Sequence, residues 1–226
     1  KRVIRPGERP LHALRERGVE YVEVRLMDLD PFEPIGLNAD TARFLDLFLL
    51  HCLLEDSPPD SPDEIAAVKN NQHLTAARGR EPGLLLQRLG QPVTLADWAA
   101  DIVGQLEPVA AAMDAQDGGR AYADALAAAR AALAAPHTLP SARVLSAMRA
   151  EHADSFSAFV SARSLDTRAR LLALPYSADL KARFDQLAAA SVAEQKRIEA
   201  SDQVPFEDYR REYTSPERLG TGARAV

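Results

Sequence analysis

The 226-residue sequence is poor in the residues that announce the commoner chemistries. With a single cysteine, Cys52, it has no internal disulfide framework, and no Cys-x-x-Cys or His-x-x-x-His spacing supports a zinc site. No Gly-x-Gly-x-x-Gly or Gly-x-x-x-x-Gly-Lys-Ser/Thr sequence occurs, which removes the usual Rossmann and Walker routes to a nucleotide. No apolar run nears the roughly 18 residues that a membrane span needs; the longest, Phe44 to Leu54, is broken by Asp46 and His51. Basic residues are outnumbered, 27 Lys and Arg against 33 Asp and Glu, so a protein that grips nucleic acid by its phosphates is not expected. Lysine is scarce beside arginine, 4 against 23, and alanine crowds residues 96–200; both favour helix and neither names a function.

What is present is an ordinary globular composition, 46% hydrophobic and 27% charged. The length allows a packed core without staples. The start, Lys1 to Gly7, is basic but leads into no apolar stretch and lacks an initiator Met, so the chain is expected to begin inside a longer protein. A lone cysteine in an apolar helical run needs no oxidising environment, and the expected compartment is the cytoplasm.

One segment alternates with a period of two. From Val19 to Met27, Val22, Val24 and Leu26 share one face and Tyr21, Glu23 and Arg25 the other, which predicts a strand. Two prolines and a glycine between Asp28 and Gly36 end it in a loop. The rest reads as six or seven helices. One, capped by Asp40 or Thr41, runs through Leu54, is apolar nearly all round and is expected at the centre of the core, with Cys52 buried and inert. A second opens at Ser61-Pro62-Asp63-Glu64 and stops near Gly79; a third opens at Thr94-Leu95-Ala96-Asp97 and is disturbed at Pro108. Tyr122, Leu126 and Leu133 form one stripe, and a long helix from Ser177 to Ala200 is expected to turn Leu180, Phe184, Leu187, Ala188 and Val192 inward. Residues 214–226 show no period and read as a loose tail. A single strand is no sheet, so its ladder partners are expected outside this sequence.

Glu23 and Arg25 are the most informative pair. A strand that hides valines behind and shows a carboxylate and a guanidinium in front lines something polar, or else carries a solvated ion pair, the commoner arrangement. A carboxylate there suits Mg2+, and the planar fork of arginine suits phosphate oxygens. Arg78-Gly79-Arg80-Glu81-Pro82-Gly83 offers basic groups and free amides, but a glycine helix end followed by a turn explains it more simply.

Glu20-Tyr21-Val22-Glu23-Val24-Arg25, Leu29-Asp30-Pro31-Phe32, Pro34-Ile35-Gly36 and Arg43-Phe44-Leu45-Asp46-Leu47-Phe48 together resemble the proteobacterial type of glutamate-cysteine ligase. Weaker matches continue through Gly79-Arg80, Pro82-Gly83-Leu84, Gly118-Gly119, Ser141-Ala142-Arg143, Ala193-Glu194 and Pro205-Phe206. The resemblance implies an α+β chain over residues 1–213: the mostly helical C-terminal portion of a glutamine synthetase-like ligase, giving one or a few strands to an antiparallel active-site sheet. It implies ATP and Mg2+ as cofactors and L-glutamate and L-cysteine as substrates, joined through γ-glutamyl phosphate in the first step of glutathione synthesis. By the matched motif Glu23 is implied as a metal ligand and Arg25 as the catalytic, nucleotide-facing cation. The chain departs from the family pattern at Leu26, where a small polar residue is usual, and at Asn71-Gln72-His73, where a Trp is familiar. The missing N-terminal part holds the other acidic ligands, so the isolated chain is expected to be inactive. Two alternatives stay open: a non-catalytic helical fragment or half of a split enzyme, and a ligase joining a carboxylate to a different amine.

Overall fold

The computed structural model describes residues 1–5, 8–25, 27–57 and 59–215. The place expected for Leu26 on the apolar face, and most of the tail expected over 214–226, lie outside these residues. The chain divides into two compact units, one of Lys1–Asp28 with Leu174–Val226 and one of Leu29–Ala173. Among the described residues no helix is long and apolar enough to cross a membrane.

In the first unit α1 (Pro10–Arg17) starts with proline, whose missing N–H costs nothing at a helix start. The unit also holds α9 (Ala178–Ser201), capped by the Ser177 hydroxyl accepting from the Leu180 amide, and α10 (Phe206–Tyr213). The guanidinium of Arg9 lies over the Tyr213 ring, 4.5 Å from its centroid, and donates to the Tyr213 carbonyl.

The second unit is an α-helical stack with one hairpin. It runs α2 (Ala39–Leu54), α3 (Pro62–Arg78), β1 (Leu85–Arg88), β2 (Gln91–Thr94), α4 (Leu95–Gln105), α5 (Glu107–Asp117), α6 (Ala121–Ala134), a 3-10 turn at Pro136–Thr138, α7 (Pro140–Glu151) and α8 (Phe156–Leu172). Its core joins Leu47 of α2 to Val103, Leu106, Ala110 and Leu126, with Phe44, Tyr122 and Leu133 packed on the edge. The predicted stripe Tyr122, Leu126, Leu133 is the face of α6 that meets this core. Alanine-rich α6 presents little bulk, so α2, α4 and α5 all pack against it.

The predicted caps at Ser61 and Thr94 are present, accepting from the Glu64 and Asp97 amides. For α2 the cap is Asn38, whose Oδ1 accepts from the Thr41 amide at 2.8 Å, rather than Asp40 or Thr41. Within α2 only Leu47 is fully buried, and Cys52, Leu53 and Leu54 at its end are exposed. The expectation of a buried Cys52 in an all-round core helix is therefore corrected: the core touches one side of α2.

Two further corrections concern strands. Residues 19–27 form no ladder among the described residues. The sheet that does form was not anticipated: β1 and β2 pair antiparallel with Leu86 opposite Val93, joined by Leu89-Gly90. Both turn residues have positive φ, 50° and 76°, as a two-residue hairpin of this hand requires. Buried Asn71 of α3 holds the hairpin like an extra strand: its Nδ2 donates to the Gln87 carbonyl at 2.7 Å and its Oδ1 accepts from the Gln87 amide at 2.9 Å. Leucine is a poor choice for positive φ, and Leu89 is 82% exposed, packing on nothing that would offset the strain. Leu89→Asn is expected to stabilise the chain by about 0.5–1 kcal/mol, read as a raised urea midpoint at unchanged slope. An unchanged midpoint would mean the turn is not strained.

Candidate active site

The segment carrying Glu23 and Arg25 follows α1, whose last turn is tied to the residues that precede the helix. Glu8 and Arg17 pair across the helix, Arg17 Nη2 donating to Glu8 Oε2 at 2.8 Å and to the Val3 carbonyl at 3.1 Å. Gly18, at φ 72°, then ends the helix with its amide on the Leu14 carbonyl and turns the chain into the extended stretch. Residues 1–3 lie along the start of that stretch. The Glu20 and Tyr21 amides donate to the Lys1 carbonyl at 2.9 and 3.1 Å, and the Val3 amide donates to Glu20 Oε2. Beyond Tyr21 the pairing stops: among the described residues Val22 and Val24 make no backbone hydrogen bond, and their side chains are exposed. The alternation seen in the sequence is thus an extended edge without a neighbouring strand.

On that edge the structure brings Glu23 and Arg25 together. Arg25 Nε lies 2.6 Å from Glu23 Oε1, and the Lys1 ammonium pairs with Glu23 Oε2. The Glu23 side chain is 35% exposed and that of Arg25 66%. Arg25 first, then Lys1, hold the Glu23 carboxyl down to about 2, and Glu23 in turn raises Arg25 above its ordinary value. The carboxylate is therefore a fixed negative charge at neutral pH. Arg25 meets it most closely through Nε, so the outer edge of the fork has no second acidic partner among the described residues. That edge is the geometry that receives two oxygens of a phosphoryl group.

Lys1 was not anticipated as a third charge here; nothing in the local pattern marks it, because its place depends on residues 1–3 folding back along 18–23. Mg2+ is held in such sites by one or two carboxylates, with phosphates and waters completing the octahedron. Among the described residues no three His, Cys, Asp or Glu side chains come together, so this chain fits as the donor of one carboxylate. His51 and Cys52 do not form a site; His51 Nδ1 faces Glu55 at 3.7 Å.

The second unit fixes the loop that follows the segment. Asp30 Oδ1 accepts from the Phe32 amide at 2.9 Å, and the Asp30 amide donates to the Gly36 carbonyl, closing the loop on itself. The Arg143 guanidinium sits 3.9 Å from the Phe32 ring centroid and 3.5 Å from Asp30, while Arg163 Nε donates to the Pro31 carbonyl at 3.1 Å. The Pro31-Phe32 and Ser141-Ala142-Arg143 motifs, far apart in sequence, are thus one anchor.

Ion pairing gives a pH signature. Glu8 and Glu23 both titrate near 2 in the folded chain, against an ordinary value of 4.5. Groups with a depressed folded value contribute stability above the unfolded value and lose it as pH falls through the folded one. The first unit is therefore expected to loosen between pH 4.5 and about 2. Carboxyl carbon chemical shifts of Glu8 and Glu23 measure this directly; midpoints near 4.5 for both would contradict the pairing.

Comparison with known proteins was made on this background. The sequence profile of a family described as glutamate-cysteine ligase matches residues 1–75. The glutamate-cysteine ligase of Azotobacter vinelandii is 46% identical over 209 residues, covering 92% of this chain and 39% of the relative. That of Bordetella parapertussis is 45% identical over 213 residues, covering 92% and 40%. A 2.0 Å crystal structure of glutamate-cysteine ligase from Francisella tularensis in complex with AMP superposes with a TM-score of 0.83 at 31% identity, over 96% of this chain and 43% of that one. The chain spans about two-fifths of the length of the curated relatives it matches. With like sequence and like fold extending over more than nine-tenths of its residues, the chain belongs to the glutamate-cysteine ligase family.

Proposed function

We propose that this chain is the C-terminal portion of an ATP-dependent glutamate-cysteine ligase, over residues 1–213, and that it supplies Glu23 and Arg25 to the active site. In the reaction a γ-carboxylate oxygen of glutamate attacks the terminal phosphorus of ATP and ADP leaves. The cysteine amine then attacks the acyl carbon of γ-glutamyl phosphate, losing a proton as phosphate departs. Both transfers move negative charge onto phosphoryl oxygens, and stabilising that charge is the main demand on the protein.

The observation that carries the reading is the charge pair on an open, extended edge: a carboxylate ionised at neutral pH beside a guanidinium whose outer fork has no other acidic partner among the described residues. Arg25 binds and orients the phosphoryl oxygens. Glu23 aims the guanidinium and offers a hard oxygen to Mg2+, which when bound screens the phosphate charge. The AMP in the Francisella structure supports a nucleotide as the ligand of this fold. Further metal ligands and the strands that pair with residues 19–25 come from the rest of the ligase, so the chain alone has no turnover. The cytoplasm, where ATP and glutamate are abundant, is the compartment.

The test is phosphate release from ATP that requires both glutamate and cysteine. A full-length ligase in which this chain replaces the matching part of the Azotobacter enzyme is expected to show it, and the chain alone is not. Turnover with other amines but not cysteine would point to a related carboxylate-amine ligase instead.

A further inference from the structure

The first unit has almost no apolar core of its own. Ala13 is its one buried apolar residue among the described residues. The expected inward placement of Leu180, Phe184, Leu187, Ala188 and Val192 in α9 is corrected: all five are exposed. Val3 and Ile4 are 66% and 48% exposed, so residues 1–5 form an arm without an apolar anchor, and its place along Gly18–Tyr21 depends on polar contacts. Glu8 and Arg17 are the centre of those contacts. Arg17 Nη1 meets Glu8 Oε1 and Nη2 donates to Oε2, a two-pronged pair that fixes the orientation of both groups. Glu8 Oε2 also accepts from the Arg5 amide at 2.8 Å, and Arg17 Nη2 donates to the Val3 carbonyl at 3.1 Å. The pair thus grips the arm at two backbone groups, one through each side chain. With side chains 14% and 21% exposed, it is the most enclosed ion pair among the described residues, unlike the surface pairs that contribute little.

We infer that Glu8 and Arg17 are positioning residues of the phosphoryl-transfer site: they hold residues 1–5 along the segment, which places Lys1 on one oxygen of Glu23 while Arg25 takes the other. This rests on the proposed function. Arg2 completes the docking of the arm, its Nε donating to the Gly18 carbonyl at 2.8 Å. A carboxylate held at both oxygens has a fixed direction, and because each oxygen has two lone pairs the held group still has room for a metal. Released on the Lys1 side, Glu23 turns with its own side-chain freedom, and the aim of the Arg25 fork and of the oxygen offered to Mg2+ is lost with it.

Two measurements test this. In the chain itself, amide exchange at Glu20 and Tyr21, whose N–H groups donate to the Lys1 carbonyl, reports whether the arm is docked. Arg17→Met is expected to speed exchange at both by about tenfold or more, while the Gly18 amide, which closes α1 on the Leu14 carbonyl, stays protected. Arg17→Lys keeps the charge but has no fork to hold Glu8 and Val3 together, and its exchange should lie between the two; it decides the matter if Gly18 loses protection in Arg17→Met. In the full-length ligase carrying this chain in place of the matching part of the Azotobacter enzyme, Arg17→Met is expected to raise the Mg2+ concentration for half-maximal turnover by about tenfold, the scale of a lost outer-shell partner. Glu8→Gln should move it in the same direction, and the double variant scarcely further than Arg17→Met, because the two residues act as one unit. Arg15→Met, which removes an exposed arginine from the same helix, should change neither reading.

Unchanged exchange at Glu20 and Tyr21 in Arg17→Met overturns the inference. So does a lowered rate at an unmoved Mg2+ requirement, since a pair that only supports the fold reduces the share of active enzyme and leaves the metal site as it was. The proposed function fails separately: no turnover in the unaltered ligase removes the activity, whereas exchange at Glu20 and Tyr21 still measures whether Glu8 and Arg17 hold the arm.

Discussion

Arg25→Ala in the full-length ligase is expected to lower kcat by roughly 10³-fold or more, the scale set by arginines that stabilise a transferring phosphoryl group. The reason lies in what the side chain does before substrate arrives. Its Nε rests 2.6 Å from Glu23, so the planar fork is already aimed and little rotamer freedom remains to be lost when phosphate binds. Lysine at the same place keeps the charge but not the fork, and Arg25→Lys should recover only part of the rate. Because the guanidinium meets charge that builds up during transfer, the loss should fall on kcat more than on the KM for ATP. A near-normal kcat in Arg25→Ala would reduce the pair to a surface ion pair, which is worth little even to stability.

Glu23→Gln should raise the Mg2+ concentration for half-maximal turnover by at least about tenfold, since removing even an outer-shell partner of a metal commonly costs 10- to 100-fold in affinity. The amide keeps the shape and a carbonyl oxygen but not the charge. It also gives up the ion pairs to Arg25 and Lys1, so the arginine fork loses its fixed aim. The two variants should therefore be strongly non-additive: the double variant should be scarcely slower than Arg25→Ala. A Mg2+ dependence in Glu23→Gln identical to that of the unaltered ligase would remove Glu23 from the metal site.

Much of this arrangement is legible in the sequence where the controlling interaction is local. The caps at Ser61 and Thr94, and the proline start of α3, are set within one turn of helix and appear as read. The α6 stripe follows from period alone. Alternation places Glu23 and Arg25 on one side of an extended segment, and so it finds the pair, but a ladder is a property of two strands and no second strand pairs with residues 19–25 among the described residues. The hairpin escaped because its strands are four residues long, Pro92 argues against a strand, and Leu89 stands where Asn or Asp would announce the turn. For Cys52 and for α9 the same limit applies. Apolar neighbours show that a helix has a face to bury, but what buries it, and on which side, is decided by the rest of the chain or by a partner.

Positional isotope exchange tests the central claim most directly, because it isolates phosphoryl transfer to glutamate from the later attack by the amine. With ATP carrying oxygen-18 in the β–γ bridge, glutamate present and cysteine absent, the full-length ligase should scramble label between bridge and non-bridge positions, and Arg25→Ala should abolish the scrambling. Scrambling that proceeds unaltered in Arg25→Ala would contradict the account.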